Sequence, residues 1–194
     1  MKAVIFDLYG TLMGSSEEFQ VYKKLFSNIG LDKEEQKKAK HIALTENFNS
    51  LEELKNHLRP NSNYDTQYLE YDILQELASV QLFPETMDLL KKLKKLGIKT
   101  GVISNLATPY RTPAVFIDNY IDEFVFSCDE GIKKPDPKIY QMMLDKLGVK
   151  ASEAFMVGDS VMNDYITPTE LGIKSELLIR PEMDLKLILN RHFK

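Results

Sequence analysis

Short apolar, β-branched runs recur along this chain at residues 3–6, 100–103, 124–126, 154–157 and 176–179, and amphipathic helical stripes separate the later ones. Runs that are apolar at successive positions must be covered on both faces, and a parallel sheet flanked by crossover helices provides that cover. The alternation therefore predicts an α/β fold. Leu89, Leu90, Leu93 and Leu96 form one helical stripe, with Pro84 at its start and Gly97 just past its end. Met142, Met143, Leu144 and Leu147 form a second stripe that stops at Gly148. Both read as crossover helices. Pro109, Pro113 and Pro168 interrupt other helical stretches and predict short or kinked segments there.

The first run behaves differently, because roughly 70 residues more than a crossover helix needs separate it from the second, and such a length implies an inserted domain. The insertion reads as helical. Ser15 with Glu18 has the spacing of a capping box, and Phe19, Tyr22, Leu25, Phe26 and Ile29 form a stripe ending at Gly30. Asp32, Ser50 with Glu53, and Asp65 are placed to start three more helices, the last with Tyr68, Leu69, Leu74 and Leu77 as apolar positions. Residues 59–63 form the clearest loop.

Composition narrows the function classes. With 194 residues, 43% hydrophobic and 28% charged, the chain can bury a core and a smaller accessory unit, which excludes a disordered chain. A net charge of −4 argues against partners such as nucleic acid or an anionic membrane surface, so any anionic substrate needs locally placed positive charge. Cys128 is the single cysteine, which rules out an intrachain disulfide or a thiolate zinc cluster. His41, His57 and His192 show no metal-site spacing. The first residues enter an apolar strand with no basic n-region or long h-region, and no run reaches transmembrane length, so a cytoplasmic protein is expected.

Ligands of open parallel sheets sit beyond the carboxyl ends of the strands. Asp7 ends the first run, Ser104 and Asn105 the second and Asp159 the fourth; Lys134 follows the third, and Asp164 lies one turn into the next helix. Each alone reads as a loop start or cap, but four strand ends delivering carboxylates, a hydroxyl and an ammonium to one edge form a constellation. Asp7, Asp159 and Asp164 near one cleft would repel one another, and oxygen-rich clusters of this kind suit a hard cation such as Mg²⁺. Lys134 would offset the charge of an anionic substrate, Gly10 and Gly158 would let backbone approach a ligand closely, and Asp7 itself can serve as a nucleophile toward phosphate.

Asp7-Leu8-Tyr9-Gly10-Thr11, Ser104-Asn105, Lys134-Pro135-Asp136-Pro137 with Ile139-Tyr140, and Gly158-Asp159-Ser160 with Asn163-Asp164 together resemble the four ordered motifs of the haloacid dehalogenase superfamily. The resemblance spans almost the whole chain. It implies a Rossmann-like parallel-sheet core of residues 1–13 and 82–194, with an all-helical cap over 14–81. It also implies roles: Asp7 as nucleophile and metal ligand, Gly10, Thr11, Ser104 and Asn105 on the substrate, Lys134 balancing charge, and Asp159 and Asp164 holding Mg²⁺ with the backbone carbonyl of Tyr9. The implied activity is hydrolysis of a small phosphorylated compound through an aspartyl intermediate.

Tyr9 departs from the phosphatase pattern, in which an aspartate protonates the leaving oxygen and then activates water. A phenol with an ordinary pKa near 10 is a poor base at neutral pH, and losing such catalysis costs about 10²–10⁴ in rate. Two other readings stay open: a phosphate- or metal-binding regulatory protein with impaired catalysis, and a metal-independent 2-haloacid dehalogenase, which a tyrosine here resembles but which Asp159 opposes. Arg111 follows Ser104-Asn105 by a short loop and is expected to serve structure.

Overall fold

The computed structural model describes residues 1–192 of the chain. Its sheet is five-stranded and parallel, built from β1 (Ala3–Phe6), β4 (Lys99–Ser104), β5 (Glu123–Phe126), β6 (Ala154–Gly158) and β7 (Lys174–Leu177) in the order β5-β4-β1-β6-β7. β1 has to be central because Ala3, Val4, Ile5 and Phe6 are all fully buried. Side chains alternate across the pleat, so Val4 and Phe6 join one hydrophobic cluster while Ala3 and Ile5 join the one on the opposite face. The strand order reverses between β1 and β6, and the crevice at that switch point opens at the ends of these two strands.

Helices cover both faces. α5 (Thr86–Lys95) turns Leu89, Leu90 and Leu93 inward, and α7 (Pro137–Leu147) buries Ile139, Tyr140, Met143, Leu144 and Leu147. Leu96, expected on the α5 stripe, is instead exposed just past the helix end. Short helices α6 (Ser127–Glu130) and α8 (Thr167–Glu170) and a terminal α9 (Leu185–His192) complete the layers. The segments carrying the interrupting prolines are irregular or short, as expected: Pro109 and Pro113 lie in a 3₁₀ helix, Thr108–Phe116, and Pro168 lies in the four-residue α8, which follows a π turn at Val161–Ile166. The last strand begins two residues before its apolar run, because Lys174 and Ser175 pair with Phe155 and Met156 at the sheet edge.

Between β1 and α5 lie α1 (Val21–Asn28), α2 (Lys33–Thr45), α3 (Leu51–Leu58) and α4 (Gln67–Ala78), which share a hydrophobic cluster containing no strand residue. Asp32 caps α2 in a full capping box with Glu35, and Ser50 caps α3 by accepting from the Glu53 N–H. Two expectations need correction. Ser15 caps nothing, since it lies in β2 (Met13–Ser15) and bonds to Ser79 and the Glu76 carbonyl; α1 instead follows Gln20, whose φ is 54°. On α4 the buried side chains are Leu69, Ile73 and Glu76, whereas Tyr68 is 82% and Leu74 62% exposed. β2 pairs antiparallel with β3 (Val80–Leu82), a two-stranded ribbon that brackets the inserted helices and that three-residue strands did not reveal in the sequence.

Candidate active site

β1 runs directly into the loop that carries Asp7, whose N–H donates to the Val157 carbonyl and so aligns this carboxylate with the end of β6. Asp7 is only 8% exposed. Its Oδ1 accepts from Lys134 Nζ at 2.8 Å, and the same ammonium donates to Asp164 Oδ1 at 2.6 Å. Lys134 is thus a buried wedge between two buried carboxylates. Carboxylate oxygens of Asp7, Asp159 and Asp164 lie within 4.8 Å of one another, with Asp159 on the solvent side.

The electrostatics follow from burial. Loss of hydration pushes Asp7 up to about 6; Lys134 pulls it back, while Asp164 and Asp159 add repulsion. Burial opposes the Lys134 charge as well, but Asp7 and Asp164 outweigh that and hold the ammonium above its usual range. Three carboxylates against one ammonium leave an excess of two negative charges when all are ionised. A divalent cation with a preference for oxygen matches that donor set, so the residues present fit Mg²⁺.

Glycines make the cluster geometrically possible. A Cβ on Gly158 would collide with the Asp164 carboxylate, and one on Gly10, where φ is +79°, would collide with Asp159. Asp164 is fixed further by the Ser160 N–H, which donates to its Oδ2 at 3.0 Å. The buried Tyr140 hydroxyl donates to the Asn163 carbonyl and steadies the same turn.

Ser104 is buried at the end of β4. Its neighbour Asn105 clasps the lysine backbone, with Nδ2 donating to the Lys134 carbonyl and Oδ1 accepting from the Lys134 N–H, each at 2.8 Å. The carboxamide is therefore committed to holding Lys134 and is placed for positioning rather than substrate contact. Thr11 is fully buried, and its hydroxyl has no hydrogen-bond partner among the described residues. Arg111 pairs with Asp129, away from the carboxylates.

The Tyr9 hydroxyl donates to the Tyr110 carbonyl at 2.9 Å, and the two rings meet edge to face. Burial and the Glu76 carboxylate push the Tyr9 phenol well above its ordinary range. Glu76 is itself a buried side chain on α4; it accepts from the Phe19 N–H and from the Tyr110 hydroxyl. Tyr9, Gly10, Glu76 and Tyr110 line a cavity of about 390 Å³ between the β1 loop and the inserted helices.

Sequence reasoning missed two residues here. Glu76 gave no signal, because a lone glutamate in an acidic amphipathic helix looks solvent-facing. Arg180 lies outside every motif, yet Nε and Nη2 donate to the Gly10 and Thr11 carbonyls at 3.2 and 2.9 Å while Nη2 also meets Glu85. Its guanidinium stacks 3.6 Å from the Phe83 ring centroid. This arginine holds the turn that follows Asp7.

Comparison with known proteins places these features in a family. The family model for haloacid dehalogenase-like hydrolases matches residues 1–172. Haloacid dehalogenase-like hydrolase domain-containing protein 3 of Danio rerio is 34% identical over 106 residues, which take in 53% of this chain and 43% of that protein, so the match spans less than half of this relative. Glyceraldehyde 3-phosphate phosphatase of Methanothermobacter thermautotrophicus is 27% identical over 205 residues, 94% of this chain and 87% of that one. A HAD family enzyme of Bacteroides thetaiotaomicron, solved in complex with magnesium and inorganic phosphate, shares the fold with a TM-score of 0.72 at 20% identity, over 96% of this chain and 98% of that one. With the family model extending from β1 through α8, this chain belongs to the haloacid dehalogenase-like hydrolases.

Proposed function

We propose that the protein is a cytoplasmic, Mg²⁺-dependent phosphatase for a small phosphorylated metabolite, with residues 14–81 acting as a cap over a catalytic core of 1–13 and 82–194. The observation that carries this reading is the buried Lys134 ammonium bonded to both Asp7 and Asp164, with Asp159 beside them. A phosphatase among the relatives and a fold neighbour holding magnesium and phosphate support it. Asp159, Asp164, Asp7 and the Tyr9 carbonyl would hold Mg²⁺. When bound, the ion would neutralise carboxylate charge and draw negative charge from the phosphate oxygens.

In this reading an Asp7 carboxylate oxygen attacks phosphorus, the bond from phosphorus to the substrate's ester oxygen breaks, and an aspartyl phosphate forms that water then hydrolyses. Lys134 stays charged and counters the phosphate oxygens; Asn105 keeps it in place. Ser104 offers a hydrogen bond to the transferred group, whereas the Gly10 and Thr11 N–H groups already donate to the Met13 and Leu8 carbonyls and serve to shape the turn. Tyr9 supplies no proton to the leaving oxygen, because its hydroxyl donates to the Tyr110 carbonyl. Turnover should therefore favour esters whose leaving oxygen is weakly basic. An aryl phosphate assay is the direct test: hydrolysis that is lost on chelation and in Asp7→Asn is expected, and activity indifferent to both would refute the proposal.

That same Tyr9 hydrogen bond favours a second reading, a protein that binds metal and phosphate without turning substrate over. Binding of inorganic phosphate with Mg²⁺, with no hydrolysis of any aryl phosphate, is its signature. A 2-haloacid dehalogenase is the weakest fit, because the surplus negative charge at Asp7, Asp159 and Asp164 repels a carboxylate substrate; halide release without metal is what it requires.

A further inference from the structure

A cavity of about 620 Å³ lies between α1, α2 and the segment after β4. Its wall is apolar toward the core, where Tyr22, Phe26, Leu44, Ala107 and Tyr110 contribute. It shares Glu18, Glu76 and Tyr110 with the smaller cavity lined by Tyr9 and Gly10, so the two spaces adjoin beside the loop that carries Asp7.

The remaining wall has a different character. Lys33, Lys37 and Lys40 project from α2 into this cavity, joined by Lys23 from α1. The spacing of four and three residues stacks the α2 lysines along one helix face over roughly 10 Å. None of the three forms a salt bridge or a side-chain hydrogen bond among the described residues, although Lys24 nearby is paired with Asp72 and Lys55 with Glu52. Of the two carboxylates on the cavity, Glu76 is already bonded to Phe19 and Tyr110, which leaves Glu18 alone against four ammonium groups.

Polarity also changes in a defined direction along α2. The C-terminal end of this helix adjoins the core, where Phe48 N–H and Asn47 bond to Thr108, and Ala43 and Leu44 are the cavity residues there. Lys33 and Lys37 occupy the half away from the core, and Lys40 lies next to the helix midpoint. A molecule filling the cavity would meet apolar surface near the Asp7 loop and uncompensated positive charge at its far end.

We propose that this cavity binds the leaving-group portion of the substrate, and that the substrate is a small organic phosphate with an apolar body and a second negatively charged group, a carboxylate or a phosphate, held by Lys33, Lys37 and Lys40. The assignment of the reacting end rests on the phosphatase reading; the assignment of the far end rests on the lysines and the cavity alone. Binding energy gained at a remote charged group is a means of orienting a substrate whose reacting end is small.

Equilibrium titration in Mg²⁺ with two non-hydrolysable probes tests it: biphenyl-4-ylmethylphosphonate and its 4′-carboxy derivative. The carboxylated probe is expected to bind about tenfold more tightly, as several partly solvated charge pairs would give, with the preference shrinking as salt is added. In Lys33→Gln/Lys37→Gln/Lys40→Gln the two affinities should converge. These side chains are on the helix surface, so the triple variant keeps its fold. Equal binding of the two probes by the native chain, a preference that survives the triple substitution, or binding of neither probe would overturn the proposal. Because no turnover is involved, a failure of aryl phosphate hydrolysis would defeat the phosphatase reading and leave this result interpretable.

Discussion

At the scale of single residues, Tyr9 separates two things that one motif position usually combines. Its backbone lies in the loop beside the carboxylates, whereas its hydroxyl is taken up by the Tyr110 carbonyl. Tyr9→Phe should therefore keep aryl phosphate turnover within a few-fold of native and lower stability by about 1 kcal/mol, the worth of one hydrogen bond; denaturant midpoints and initial rates measure both. A loss of activity of a hundredfold would mean that the hydroxyl takes part in the chemistry. Tyr9→Asp should raise the rate on alkyl phosphates by about 10² or more, since a carboxyl restores protonation of the leaving oxygen. The sequence disclosed Asp7, Lys134, Asp159 and Asp164 because each sits at a strand end in a recognisable order. It did not disclose where the Tyr9 hydroxyl points, because Tyr110 is 101 residues away, nor the role of Arg180, which reaches back 170 residues to Gly10. Contacts of that range depend on the folded topology and have no local spacing to betray them.

Elements explain why the carboxylates meet. β6 ends at Gly158, and the π turn Val161–Ile166 then sets Asp164 against the space a side chain at 158 would fill. Gly158→Ala should push the Asp164 carboxylate away from Lys134, costing about 1–3 kcal/mol of stability for overpacking a buried site. Mg²⁺ affinity, followed by calorimetry, should fall at least tenfold; unchanged affinity would show that Asp164 lies outside the metal's reach. Gly158 was legible as a point of close approach, but its partner was not. Long amphipathic elements such as α5 and α7 were also legible, because several turns of period 3.6 accumulate in their sequences. The β2–β3 ribbon was not, because three residues per strand carry too little alternation. The buried face of α4 was misread for a physical reason: Glu76 takes an inward position that hydrophobic counting assigns to leucines such as Leu74.

Across the whole molecule, the inserted helices have their own hydrophobic cluster, so their attachment to the sheet depends on the ribbon, on the packing of α2 against α6 and of Tyr22 against Tyr110, and on a few polar contacts. Glu76 is central among these. It is buried on α4, accepts the Phe19 N–H at 2.5 Å on the way into α1, and accepts the hydroxyl of Tyr110 from the segment after β4. One carboxylate thus joins two parts of the insertion to the sheet domain, next to both cavities. Glu76→Ala leaves a partly buried donor on each side unpaired, at a cost of about 1–3 kcal/mol. Were the contact only a local brace, exchange would rise within α4 alone. If it ties the insertion to the sheet, amide hydrogen exchange should quicken in residues 15–20, in α4 and around Tyr110 together, while β1 and β4 keep their protection. Tyr110→Phe should reproduce the quickening around Tyr110 and α4 but spare residues 15–20, because Phe19 keeps its acceptor. Identical exchange in native and Glu76→Ala protein would show that the ribbon and apolar packing suffice to seat the insertion over the carboxylates.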